Sequence, residues 1–278
     1  MRTVFVGNVL VLAWWMSSLV TTQVQFVEPN PWQVPRESTP PAAKVDGRDL
    51  SGVWLKDLPR AFKTAPRGAW DMTDADVPMT PLGQSMFDAN KPSFGRRMVP
   101  PALGNDPLGN CDPIGLPRHL FVEIAGYAFE FVSLPDRVLQ VFQAQRTHRT
   151  IWTDRRQLPK DPDPRWMGYS VGAWEGDTFV VESIGIDERT WLDHLGHPHS
   201  DALTVHERYR RIDAQTLEQI ITFTDPKVLS APWASDPQVF RVTVDKGLDE
   251  KLETFCVPSE EQAFNRTIRD PAAGVSVK

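Results

Sequence analysis

From Leu120 onward the hydrophobic period of this chain is two, and the alternation persists through ten strand-like runs with almost no helix between them. The runs lie at 120–124, 127–132, 137–142, 147–153, 168–174, 177–184, 202–211, 215–224, 238–245 and 251–256. Side chains alternate across a strand, so this pattern buries one face of a sheet and leaves the other wet. Trp174-Glu175-Gly176-Asp177-Thr178 and Asp213-Ala214-Gln215 read as hairpin turns joining consecutive runs. So many antiparallel strands expose edges that invite association unless the sheet closes on itself. The expected fold is therefore mainly β, an antiparallel meander closed into a barrel, with a two-sheet sandwich as the alternative.

Gly52-Val53-Trp54, at the start of the first structured segment, resembles the G-x-W of the first strand of lipocalin-like barrels. That resemblance implies a lipocalin-like barrel with the Trp plugging one end. Between the triplet and Leu120 the chain is irregular and rich in Pro and Gly. One short helix is expected between Thr80 and Asn90, where Leu82, Met86 and Phe87 recur at helical spacing. Thr80 is its N-cap and Pro81 its first helical residue. Residues 91–118 read as loop, with Asp106 and Asp112 in successive turns.

The N-terminus reads as an export signal over residues 1–22: Met1-Arg2, then an apolar stretch to Val20 broken only by Asn8 and Ser17-Ser18. No A-x-A cleavage pattern follows, so an uncleaved anchor is the alternative; it is the one membrane span the sequence offers. Residues 23–49 are a Pro-rich linker, 50–260 the barrel domain and 261–278 a tail. The expected location is exported, periplasmic or secreted. In an oxidising compartment Cys111 and Cys256 are most simply one disulfide. A net charge of −6 argues against nucleic acid as a partner.

The alternation also sorts residues by face. Leu203, Val205, Glu207 and Tyr209 share the apolar side of one strand, and Leu217, Gln219, Ile221 and Phe223 that of the next. Glu207 thus points inward, where a carboxylate must be paired or protonated. It reads either as a general acid or base, or as one half of an ion pair with an arginine such as Arg146 or Arg241. His206 falls on the outer face. Arg146, His148, Arg149, Arg155 and Arg156 form a basic patch that fits an anionic ligand group or a solvated edge strand.

Three of the six histidines, His194, His197 and His199, fall in one connecting segment flanked by Asp193 and Asp201. In extended backbone His197 and His199 point the same way, and Pro198 favours that geometry. A catalytic zinc needs three protein ligands and an open position. His194, His197 and His199 are the candidate set, with Asp193, Asp201 or Glu207 to complete it, although no H-E-x-x-H spacing is present. The metal-free reading makes one His a proton shuttle oriented by Asp201 or Asp193. The structural reading makes the segment a lid over the barrel. A Ser-His-Asp triad lacks its G-x-S-x-G turn.

Gly168-Tyr169-Ser170-Val171-Gly172-Ala173-Trp174-Glu175-Gly176-Asp177-Thr178, then Thr190-Trp191-Leu192-Asp193 and Gly196-His197-Pro198-His199-Ser200-Asp201-Ala202-Leu203, resemble a widespread family of exported bacterial proteins common in soil bacteria. Glu207-Arg208, Asp225-Pro226-Lys227 and Pro232-Trp233 extend the likeness, which covers residues 50–260. It implies a shared fold and places the Gly-His-Pro-His step in a family pattern. It brings no activity, ligand or mechanism. Ala173 stands where the pattern has a basic or imidazole residue, so that position carries no essential chemistry here.

Two functional readings follow. The first is an exported barrel that binds a small, mostly apolar organic molecule, with Trp174, Trp191, Tyr209 and Arg146 as ligand contacts. The second is a hydrolase, lyase or isomerase on the same scaffold using His197, His199, Asp201 and Glu207, with or without zinc. A structural envelope protein, anchored and without a pocket, is a third.

Overall fold

The computed structural model describes residues 46–57, 76–121, 128–243 and 256–275. Ten strands form one sheet: β1 (Gly52–Lys56), β2 (Ala128–Ser133), β3 (Arg137–Phe142), β4 (Thr147–Trp152), β5 (Tyr169–Glu175), β6 (Thr178–Ile184), β7 (Thr204–Asp213), β8 (Thr216–Thr224), β9 (Trp233–Ala234) and β10 (Gln238–Val242). β1 to β8 follow in chain order, and β10 bridges β8 to β1, closing a nine-strand ring; β9 pairs only with the end of β8. The closed barrel is as the alternation predicts.

The meander is not wholly antiparallel. β4 and β5 run parallel, joined by two ladder pairs, Ile151 with Ser170 and Trp152 with Val171. A parallel step needs a crossover, so residues 153–168 return along the barrel wall before β5 begins. The expected strand at 120–124 is also replaced. Arg118–Phe121 form a 3₁₀ turn, and the rest of that run lies outside the described residues, as does most of the run at 251–256. Short apolar runs carry too few residues to separate strand from helix by period.

The predicted helix is α1 (Pro81–Ala89), with the Thr80 hydroxyl accepting from Gly83 N. A second, α2 (Pro258–Phe264), continues through a π turn to Ala272, where the sequence reading has a tail. Pro258 at the first helical position and Glu260-Glu261 in the first turn are its missed start signals. The disulfide Cys111–Cys256 forms and holds this segment to the long connection between β1 and β2.

Inward faces match the sequence reading. Val205, Glu207 and Tyr209 on β7, and Leu217, Gln219, Ile221 and Phe223 on β8, are completely buried. Phe129 meets Phe131, Phe142 and Phe240, while Phe131 meets Tyr209 edge-on, so aromatic rings fill the bore. Trp54 is completely buried. Its indole N–H donates to Leu50 O at 2.9 Å, and the Arg211 guanidinium lies 5.2 Å from its ring. At the opposite end, loops 185–203 and 225–232 leave the barrel together and α1 docks beside them. Thr80 N donates to Val228 O, and the Thr80 hydroxyl to Lys227 O.

Candidate functional site

The histidine segment is built by two buried carboxylates. Asp225 accepts from Ser200 N at 2.6 Å, from the Ser200 hydroxyl at 2.8 Å and from the following loop's own Lys227 and Val228 amides. It thereby clamps the two barrel-end loops together. Asp193 accepts from Leu195 N and His197 N, and from His197 Nδ1 at 2.6 Å. Burial opposes the Asp193 charge, but the His197 ring beside it holds the carboxyl below the ordinary range.

The three histidines part company. Gly196, just before the H-x-H step, has φ +89°. His197 stacks on Phe87 of α1 with centroids 4.5 Å apart, and meets Trp233 of β9 at 5.5 Å. His199 is buried between the Thr190 hydroxyl, 2.7 Å from Nε2, and Ser200 O, 3.1 Å from Nδ1. Ser200 O only accepts, so Nδ1 carries a proton toward it; the Thr190 hydroxyl beside Nε2 also lies 2.8 Å from Leu116 O and 3.0 Å from Asp187 O. Burial pushes the His199 pKa down, leaving a neutral ring. His194 packs edge-on against Phe94. These donors do not fit a zinc site, and among the described residues no group of three His, Cys, Asp or Glu is placed to hold a metal.

The enzyme set is likewise spread over three places. Asp201 is exposed and pairs with Lys227, so the residue that orients His197 is Asp193, the other of the two expected orienters. Glu207 lies inside the barrel. Its partner is Arg149 of β4, in place of Arg146 or Arg241, through bonds of 2.7 and 2.5 Å. Arg149 Nε also donates to Gln140 Oε1, and the remaining guanidinium N–H groups reach Ser183 and Tyr209. Tyr209 donates to Glu207 at 2.6 Å and accepts from Gln219 at 2.8 Å. Burial works against the Arg149 charge and the Glu207 carboxylate overcomes it, raising the guanidinium pKa. Burial, followed by the same carboxylate, pushes the Tyr209 pKa well above its usual value. The bonds lock Glu207 into a structural ion pair.

Of the expected ligand contacts, Trp174 and Tyr209 fall in one row across Phe179, to which both strands pair. Trp191 is buried in the barrel-end loop with Arg118 5.9 Å above it, and Arg146 sits in the β3–β4 turn. A cleft of about 500 Å³ lies between the outer face of β4 and the crossover, and none of the four lines it. His148, Thr150 and Trp152 alternate along its β4 wall, and Leu158, Met167 and Tyr169 face them. It exists because the parallel ladder is only two pairs long: β4 and the lead-in to β5 diverge before Ile151 and Ser170. Gly168 makes the sharp entry to β5 at φ +57°, where a Cβ would lie 2.6 Å from Ile184 O.

Two cations edge the cleft. The Arg156 guanidinium lies 3.4 Å from the Trp152 ring centroid and is held by Asp154, whose pKa falls to about 2 through that hydrogen bond. Arg165 is exposed, lies 4.2 Å from the Tyr169 ring centroid and, among the described residues, forms no ion pair. The basic patch in the sequence signals this site through His148 and Arg156. The wall beyond it, Met167 to Tyr169, is visible only once the crossover is known. Comparison with protein-family models, with curated proteins and with solved structures gives no match.

Proposed function

We propose that this chain is an exported member of the family its motifs resemble, and that it binds a small, mostly apolar organic molecule in the cleft beside β4. The observation that carries the reading is a cleft of about 500 Å³, within the range of about 300–1,000 Å³ usual for small-molecule sites. Its aromatic and aliphatic walls suit a planar, apolar body. Arg165, without a carboxylate partner among the described residues, suits one anionic group on that body. The filled bore argues against a ligand inside the barrel, and the disulfide is consistent with an oxidising compartment.

The test is isothermal titration of the mature protein with a panel of aromatic carboxylates, alongside Arg165→Gln and Trp152→Ala. The expected result is saturable binding of at least one carboxylate. Arg165→Gln then weakens the anion selectively over its neutral amide, and Trp152→Ala weakens both. Affinity unchanged in both variants would place the ligand elsewhere and overturn the reading.

A further inference from the structure

At the end of the barrel occupied by α1, among residues that do not line the cleft, Asp193 and His197 form a carboxylate–imidazole pair. We infer that this pair is a second, catalytic site, at which His197 Nε2 acts as general base for the hydrolysis of a small ester. The Asp193 carboxylate accepts at 2.6 Å from Nδ1 and is itself fixed by two backbone amides, Leu195 N and His197 N. This arrangement sets the tautomer: Nδ1 holds the proton and Nε2 presents its lone pair. Among the described residues nothing bonds to Nε2, and the side chain keeps 12% of its surface open. Phe87 and Trp233 fix the ring plane.

A second observation points to a ligand at the same place. The Trp233 indole N–H is buried and has no hydrogen-bond partner. Buried N–H groups are rarely left unpaired, and those that are call for an acceptor. An ester carbonyl supplies one and gains negative charge as it reacts.

The step balances without a further reactant. Nε2 takes a proton from water as the water oxygen bonds to the carbonyl carbon. The tetrahedral oxyanion collapses, the C–O bond to the alkoxy group breaks, and the imidazolium returns its proton to the leaving oxygen. Acid and alcohol leave, and His197 is neutral again. Asp193 touches no substrate; it is a positioning residue that acts through His197.

The probe is 4-nitrophenyl acetate with the full-length mature protein, read as nitrophenolate release from pH 5 to 9. In the wild type, release above the buffer rate is expected; the charged groups nearest the ring are Asp193 on its own loop and Arg97 on the far face of Phe87. His197→Gln lowers the rate by about 10²-fold or more, the span of a lost general base. Asp193→Asn lowers it and displaces the pH profile, which a merely structural role would not do. His206→Gln, on the exposed outer face, leaves the rate unchanged. If His197→Gln fails to fold by circular dichroism, carbethoxylation of the wild type, reversed by hydroxylamine, supplies the same comparison. A wild-type rate equal to that of His197→Gln, or to that of the carbethoxylated protein, overturns the inference, as does an Asp193→Asn profile superimposable on the wild type.

Discussion

Arg149 of β4 and Glu207 of β7 meet inside the barrel through two hydrogen bonds, 58 residues apart in sequence and both removed from water. Desolvating two charges is costly, and further bonds offset it: Arg149 Nε donates to Gln140 Oε1 and the Tyr209 hydroxyl to Glu207. Removing one partner strands the other. Glu207→Leu is therefore expected to lower stability by about 3–5 kcal/mol. Arg149→Met with Glu207→Leu is expected to recover most of that loss. Urea unfolding of the wild type, the single and the double variant checks both, and a single variant within about 1 kcal/mol of wild type contradicts the buried-pair account.

Gly172 on β5 faces inward beside Phe179 and Ile151. A Cβ there would lie 2.5 Å from the Phe179 ring and 2.8 Å from Ile151 Cγ2. Both neighbours are completely buried and have no room to retreat. Gly172→Ala is expected to destabilise by about 1–3 kcal/mol, the usual range for an overfilled core. Phe179→Leu placed with it opens space and is expected to restore part of the loss, which a thermal melt of the three variants resolves.

How much of this was legible in the residues depends on how far each feature reaches along the chain. The inward set Val205, Glu207 and Tyr209 needs only period two, and the Thr80-Pro81 start of α1 needs only local capping chemistry. The partner of Glu207 was out of reach, because choosing Arg149 over Arg146 or Arg241 requires the register across β4 to β7. The histidines misled for a local reason. An H-x-H step converges only when both rings are free to meet one ion, and here Asp193 takes His197 while Thr190 and Ser200 O take His199. The cleft was half visible: the basic patch marked His148 and Arg156, but the opposite wall follows from a parallel crossover that reads in sequence as an ordinary Pro-rich loop.

His199 gives a pH dependence with a definite sign. Burial holds its folded pKa below 6.5, and the charges of Asp225, Glu188 and Asp187 only partly oppose this. Above pH ~6.5 the ring is neutral in both folded and unfolded chains. Below it the unfolded chain binds a proton that the folded chain refuses, so stability falls as the pH falls, by up to about 1.4 kcal/mol per pH unit. His199→Gln is less stable at pH 7, having lost the Thr190 contact, but its stability is expected to change less between pH 7 and 5. Denaturant midpoints of both proteins at the two values decide it; parallel slopes would mean that the buried ring is not the titrating group.

The disulfide offers a test of what the C-terminal segment contributes. Cys111 and Cys256 are 145 residues apart in sequence, and neither lies on a strand of the barrel ring. In the chain-entropy account, closing a loop of that length removes about 5 kcal/mol of freedom from the unfolded chain. Cys111→Ala with Cys256→Ala is therefore expected to lower global stability by several kcal/mol while the barrel still forms, since its ring closes through β10 and β1 without help from either cysteine. Among the described residues, α2 packs against the loop around Pro107–Asn110, and its π-turn continuation against Pro101–Leu103. Limited proteolysis is expected to cut beyond residue 256 well before the barrel in the double variant, and at neither place quickly in the oxidised protein. Equal cutting rates at both places would show that the segment and the barrel unfold as one unit, so that the disulfide braces the entire fold and not its C-terminal end alone.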